Sequence, residues 1–468
     1  MNNYKIPLPS RRFLARCAFV PLLLAVPLSW LRAEEVVAPG SATAAPVSVW
    51  DTIEARAAAF TGTGWSMDKA AVAVRPTMKE YFARYAGWTD PTPPPLPEGK
   101  LRNLADTPAN PRFPLTEKMW TETPGSASVC LWEDDKLAAF SFSIDDNCAT
   151  DVPFWLELSK KYGGLNITWN LITGFVGGDI PRFLIQGGTW DLWAKVRAEG
   201  HHIASHSIQH VTDPVREDGW PGPGWECAES KRQLDAGLVG QKTKLFAYPG
   251  SPMKEFSVSY AWRPDVTKYF AAARGGSGNP INIANQIDYF NIRTTAHPDG
   301  ITEGKPVAEF NLSNTIVKSS NQGYHKFYRG WSTLFIHSVN GGKDWDTNPF
   351  QQSFTKVFDW VAAHRDDLWV GHLDDVALYG QERDTATLET VSTEDNRIVV
   401  RLSSQMDPAV FDYPLSIKVR LPDAWKGLDA KQGGASVESK FLLHEGAPYG
   451  LVKVVPDRGE IVLVPSGS

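Results

Sequence analysis

Two short stretches carry side chains able to do chemistry together. In Phe140-Ser-Phe-Ser-Ile-Asp145-Asp146-Asn147 an apolar run ends in two adjacent carboxylates. About sixty residues later, Gly200-His-His-Ile-Ala-Ser-His206-Ser-Ile-Gln-His210 places two imidazoles four positions apart. Carboxylate oxygen and imidazole nitrogen are the donor set of a divalent metal, and a second carboxylate beside a ligand is placed to act as a base. Each signal is weak alone. An Asp-Asp pair is more often a turn or a helix cap, and a His-x-x-x-His pair is more often two residues on one helix face.

The elements around these stretches decide whether they meet. From Ser128 onward short apolar runs alternate with amphipathic segments. The runs at 136–144, 165–172, 202–204, 244–248, 288–292, 333–337 and 368–370 read as strands. The segments at 152–162, 189–199, 226–237, 353–365 and 374–384 read as helices. Strand–helix alternation implies parallel strands with crossover helices, here a distorted (β/α)7-type barrel. Working residues of such a barrel sit at the C-terminal ends of strands. Asp145-Asp146, His206 with His210, Tyr248-Pro-Gly250 and His337 all fall there. Residues 384–468 change to a period-2 pattern, with runs at 396–402, 415–421, 451–455 and 460–464, and read as a small antiparallel β domain.

Taken together the motifs resemble the polysaccharide deacetylase superfamily, carbohydrate esterase family four. The resemblance rests on Phe-Ser-Ile-Asp145-Asp146, on Gly-His-His-Ile-Ala-Ser-His206-Ser-Ile-Gln-His210, on Phe246-Ala-Tyr-Pro-Gly250 and on Leu334-Phe-Ile-His337. It ends in Trp369-Val-Gly-His-Leu-Asp-Asp-Val-Ala-Leu-Tyr379 and covers roughly residues 130–383, which implies a catalytic barrel over residues 128–383. It implies a metal triad of Asp146, His206 and His210, holding Zn²⁺, with Co²⁺ and Ni²⁺ also compatible. It implies Asp145 as general base and His337 as the acid that protonates the leaving group. A backbone N–H of the Tyr248–Gly250 turn is the expected oxyanion donor. The chain departs from the family's Arg-Pro-Pro-Tyr motif, carrying Ala247 where the arginine stands and Gly250 where the tyrosine stands. Arg293 is the candidate for the missing positive charge at Asp145. Asp288 and Trp331 are weak matches to the fourth motif. His201 aligns with the family's Gly-His pair, His202 is expected to be structural, and His372 faces the cleft only weakly on this reading.

Composition narrows the partners. The chain has 468 residues and a formal net charge of -6, which does not suit nucleic acid or an anionic membrane. Residues 1–33 read as a signal peptide: Arg11, Arg12 and Arg16 precede an apolar run of about fifteen residues, followed by Leu-Arg-Ala33. Export to the periplasm or the extracellular space follows, with no stable membrane span after cleavage. Residues 34–127 form an N-terminal extension with a proline-dense stretch, Asp90-Pro-Thr-Pro-Pro-Pro-Leu-Pro97. Cys130, Cys148 and Cys227 allow one disulfide at most. The 18 tryptophans suit either a sugar-lined cleft or a large core.

The sequence thus leads to an exported metal-dependent deacetylase that hydrolyses N-acetyl or O-acetyl groups of a carbohydrate. Two alternatives stand beside it: a carbohydrate-binding protein on a degenerate barrel, motivated by Ala247, and a hydrolase of a non-sugar C–N bond.

Overall fold

The computed structural model describes residues 82–105, 113–177, 187–211, 219–250, 258–276, 279–297, 301–302, 305–306, 312–320 and 325–466. The expected signal peptide, residues 1–33, and the first part of the expected N-terminal extension, residues 34–81, lie outside the described residues.

Strand β1 (Ala127–Val129) belongs to the C-terminal sheets, and the barrel begins with β2 (Ala138–Ile144). Every residue of β2 is buried, as expected of a parallel strand covered on both faces. From β2 the sheet runs in chain order through β3 (Ile167–Leu171), β4 (His202–Ser205), β5 (Leu245–Ala247) and β6 (Ala272–Arg274), all parallel. The antiparallel strand β7 (Ile281–Asn282) and the hairpin of β8 (Ile301–Thr302) with β9 (Lys305–Pro306) follow in the chain. β10 (Trp331–Ile336) pairs parallel with β2 on its far side and with β7. β11 (Leu368–Val370) pairs parallel with the first half of β2.

Two isolated parallel bridges, Arg274 to Ile292 and Thr295 to Leu334, carry the backbone pairing from β6 round to β10. The run at 288–292, read from sequence as a strand, therefore fills a strand's place without forming a regular ladder. Conversely β6 and the helix before it were not legible. An Ala-Ala-Ala-Arg run has little strand preference of its own, and its pairing with β5 imposes the conformation.

Helices α1 (Val152–Lys161), α2 (Trp190–Ala198), α3 (Pro223–Gly237), α4 (Val258–Tyr269) and α5 (Pro349–Ala363) lie between the strands in the chain. On the α1 and α5 side, Phe142 of β2 packs on Trp155 at 5.2 Å and on Phe358 at 5.1 Å between ring centres. Trp132, Trp155, Trp169, Trp193, Trp225, Trp262 and Trp331 are fully buried, so much of the tryptophan content serves the core. No described helix is long and apolar enough to cross a membrane.

The last helix, α6 (Leu373–Thr385), is buried along most of its length. Behind it stand two antiparallel sheets. One has the order β1, β14 (Leu415–Arg420), β18 (Ala447–Val454), β17 (Ser439–His444). The other has the order β12 (Thr387–Glu394), β13 (Arg397–Ser403), β19 (Glu460–Val464), β15 (Asp429–Gln432), β16 (Ala435–Ser436). One apolar cluster runs from Phe246 and Trp331 of the barrel through α6 to Ile417 and Leu463 of these sheets. The chain before β1 ties the two parts further: Leu104 N–H donates to Gln381 Oε1 at 2.9 Å, and Lys100 Nζ donates to Ser404 O at 2.6 Å.

The turn Glu133–Asp135 docks on the same sheets through lysines. Lys418 Nζ reaches Asp135 Oδ2 at 2.7 Å with both side chains buried, and Lys453 reaches Glu133 at 2.6 Å. Removing Lys418 leaves the buried Asp135 charge to the more distant and partly exposed Lys118, whose Nζ is 3.8 Å from the same oxygen. Lys418→Ala should therefore destabilise the fold by roughly 3 kcal/mol, read as a fall in the denaturation midpoint. A change below about 1 kcal/mol, the usual worth of a surface pair, contradicts this reading.

Candidate active site

β2 ends at Ile144, and the backbone leaves the sheet at once. Asp146, Asn147 and Cys148 have φ of 61°, 61° and 50°. Three consecutive left-handed non-glycine residues are strained and persist only when their surroundings hold them. Asn147 supplies that hold: its Oδ1 accepts from Ile172 N–H at 2.8 Å and its Nδ2 donates to Gly187 O at 3.0 Å. Cys148 donates its Sγ–H to Asp145 O at 3.0 Å. Adjacent residues on a strand would point to opposite sides. The left-handed turn instead brings both aspartates to one cleft, the geometry that their two expected roles require.

Asp145 is 2 % exposed. Arg274 Nη2 donates to its Oδ2, and Asn170 Nδ2 donates to its Oδ1 at 2.7 Å. Burial alone would push this carboxyl up. The Arg274 guanidinium above all, then the His206 and His337 imidazoles and the Asn170 amide, outweigh burial and hold it down at about 2. Arg274 ends β6, is itself buried, and has its guanidinium carbon 4.8 Å from the centre of the Phe335 ring.

The expectation that Arg293 supplies this charge is corrected. The alternation around it is buried Ile292, exposed Arg293, buried Thr294. Its backbone is pinned inward by Asn282, which accepts the Arg293 N–H at 2.9 Å. The side chain faces outward, and the charge at Asp145 comes from the barrel strand before it.

Asp146, His206 and His210 come together as expected. Their ligand atoms lie within 4.8 Å of one another. His206 Nε2 is 3.5 Å and His210 Nε2 is 3.7 Å from Asp146 Oδ1. That oxygen is buried and takes no hydrogen bond among the described residues, an orphan that a cation would satisfy. His206 donates Nδ1–H to Ala247 O at 2.8 Å, which leaves the Nε2 lone pair facing the cleft. Burial holds this imidazole down at about 4, hence neutral and able to ligate. The residues present therefore fit a divalent ion with one oxygen and two nitrogen donors.

The histidine pair is not helical. Ser207 and His210 have φ of 68° and 55°, and the loop is fixed by side chains that accept its N–H groups. His210 N–H donates to Ser207 Oγ at 2.9 Å. Ile208 N–H donates to Glu226 Oε2 at 2.7 Å. Glu226 is fully buried, and burial pushes it up to about 7 despite the Trp220 indole and loop N–H groups that it accepts.

His337 follows β10 directly and is half exposed, with Nε2 3.7 Å from Asp146 Oδ2. It approaches the carboxylate oxygen of Asp146 other than the one beside His206. The Tyr248 reading is corrected in part: its N–H donates to Arg274 O at 3.1 Å and its side chain is buried against Phe246 at 5.5 Å. Pro249 has no N–H, so Gly250, with φ of 79°, is the donor that this turn retains.

A second histidine cluster lies at the start of β4, the opposite end of the strands. His202 and His372 stack at 3.6 Å with 2° between ring planes. His202 Nδ1 is 2.9 Å from both oxygens of Asp374, and His372 bonds Gly200 O at 2.9 Å and Asp375 at 3.1 Å. Parallel rings this close have parallel lone-pair axes, so no point lies about 2.1 Å along both. We read the cluster as a structural ion pair. Burial opposes the charged form of His202, but the Asp374 and Asp375 carboxylates raise it to about 9. A raised histidine contributes stability that is complete below its unfolded value of about 6.5 and is lost as pH rises through about 9. The wild-type Tm should fall between about pH 7 and pH 9.5, and His202→Gln should remove that fall. An equal fall in both proteins contradicts the pairing.

Arg274, Asn170 and Glu226 were absent from the sequence reading. The only local signal for Arg274 is an Arg-Gly step closing a short apolar run.

No family model matches the chain. A protein named gellan lyase, from a Bacillus species, is 32% identical over 392 residues, which are 80% of this chain and 14% of that protein. The chain thus spans about a seventh of that relative's length. Among solved structures, a Streptococcus pyogenes deacetylase in complex with acetate is similar at 20% identity. That match covers 33% of this chain and 62% of the other with a TM-score of 0.25. A family 4 carbohydrate esterase from Bacillus anthracis is similar at 13% identity, covering 55% and 98%, with a TM-score of 0.29.

Proposed function

We propose that the chain is an exported, metal-dependent hydrolase that removes acetyl groups from a poly- or oligosaccharide. One observation carries the reading: a buried carboxylate fixed by arginine and asparagine, and an exposed histidine, flank the same Asp146–His206–His210 triad. Asp146, His206 and His210 would hold Zn²⁺, or Co²⁺ or Ni²⁺, which when bound supplies Lewis acidity and lowers the pKa of a coordinated water. Asp145 takes the proton of the attacking water, and its Oδ2 lies 3.9 Å from His206 Nε2. Arg274 and Asn170 fix that carboxylate and keep it ionised at working pH. The Gly250 N–H would donate to the oxyanion formed at the acetyl carbonyl. His337 gives its proton to the departing amine or alcohol, releasing acetate and the free sugar group. The basic and apolar segment at the N-terminus supports export.

The relative's name favours a polysaccharide partner and raises a second reading, eliminative cleavage. The two differ in product, since elimination leaves an unsaturated sugar end and deacetylation leaves acetate. Purified protein should release acetate from N-acetylated oligosaccharides, O-acetylated polysaccharide or gellan in a metal-dependent way. Unsaturated ends without acetate would reverse the assignment.

A further inference from the structure

Two fully buried carboxylates outside the proposed machinery grip the loops that carry its histidines. Asp151 sits just before α1, where an aspartate ordinarily accepts an N–H from the first turn of its own helix. It makes no such bond. Its Oδ2 accepts from Val339 N–H at 2.7 Å and its Oδ1 from Gly341 N–H at 2.5 Å, in the loop that starts with His337. Gly342 presses the same loop against α1, since a Cβ there would lie 2.2 Å from the Phe154 ring.

Glu226, in the first turn of α3, does the same for the other loop. Its Oε2 accepts from Ile208 N–H at 2.7 Å and Gln209 N–H at 3.3 Å, the two amides midway between His206 and His210. The leading influences that offset burial are hydrogen bonds: from the Gly341 and Val339 amides and the Ser338 and Thr150 side chains at Asp151, and from the Trp220 and Gln209 side chains and the Ile208 and Gln209 amides at Glu226. A buried carboxylate needs such donors. Both gripped loops also contain left-handed non-glycine residues, with φ of 68° at Ser207, 55° at His210 and 53° at Asn340. Such conformations require outside support.

We propose that the two acids are positioning residues with separate tasks. Glu226 holds the His206–His210 loop in its metal-binding shape. Asp151 aims His337 at the leaving group. The second task rests on the hydrolase reading, whereas the first requires only that the triad binds a metal.

The test compares Glu226→Ala and Asp151→Ala for zinc affinity, kcat at saturating zinc, and amide hydrogen exchange. Glu226→Ala should weaken zinc binding about 10- to 100-fold, with kcat recovering at high zinc. Asp151→Ala should leave zinc affinity unchanged and lower kcat about 10- to 100-fold, the scale of a small misplacement. That loss should vanish in a His337→Ala background, because a residue acting only through His337 has nothing left to aim. Unchanged zinc affinity in Glu226→Ala, or the same Asp151→Ala loss with and without His337, overturns the proposal. If an alanine variant fails to fold, Glu226→Gln and Asp151→Asn keep the shape and report by exchange. Protection should fall at Ile208 and Gln209 in the first and at Val339 and Gly341 in the second, and unaltered protection overturns the assignment. Wild-type protein that binds zinc but releases no acetate would remove the hydrolase reading, while zinc affinity and exchange still decide the two positioning roles.

Discussion

Arg274→Ala should lower kcat on the order of a hundred- to a thousandfold while the protein keeps its bound metal. General-base catalysis contributes about this much, and Arg274 is the group that fixes and charges the base. With the guanidinium gone, the largest of the groups that offset burial at Asp145, which lies 2 % exposed, is lost. Its pKa then rises from about 2. A base works only when deprotonated, so the acid limb of the pH–rate profile moves to higher pH. Arg293→Ala, at an exposed side chain, should change neither turnover nor profile. Full activity in Arg274→Ala, or a loss confined to Arg293→Ala, contradicts the geometry of the site.

The second large effect separates the two adjacent aspartates. Asp146→Asn should lower metal affinity by more than about a hundredfold, exceeding the usual effect of mutating an outer-shell partner. It replaces an anionic ligand by a neutral amide at the oxygen that faces both His206 and His210. Asp145→Asn should retain the metal and lose turnover, because Asp145 is engaged by Arg274 and Asn170 rather than by the pair of histidines. Metal analysis and acetate release on the two variants give opposite patterns if the roles are as assigned. Equal metal loss in both would merge the aspartates into one ligand pair.

The parts of this site that could be read from the chain are those whose chemistry is local. Asp145-Asp146 and His337 immediately follow apolar strands, and strand ends are where a β/α barrel works. The supporting groups were hidden because their partners are remote in sequence. Arg274 is 129 residues from Asp145, and Asp151 is 188 residues from Val339. A fully buried glutamate in a helix's first turn carries no sign of which backbone amides it accepts. Arg293 is the next cation after an apolar run, but the in–out alternation of its segment turns it to solvent. The cysteine count left a disulfide open; Cys130 and Cys227 are buried free thiols. The C-terminal strands were legible from their alternation. Their common core with the barrel was not, since it depends on α6 and on a strand contributed from residues 127–129.

The most direct test is acetate release by the purified protein before chelation, after chelation and after reloading with zinc, on N-acetylated and O-acetylated carbohydrate. Release should disappear with the metal and return with about one zinc ion per chain, with no return in Asp146→Asn. Release that persists in the metal-free protein, or a zinc-loaded protein that frees acetate from none of these substrates, would contradict the assignment.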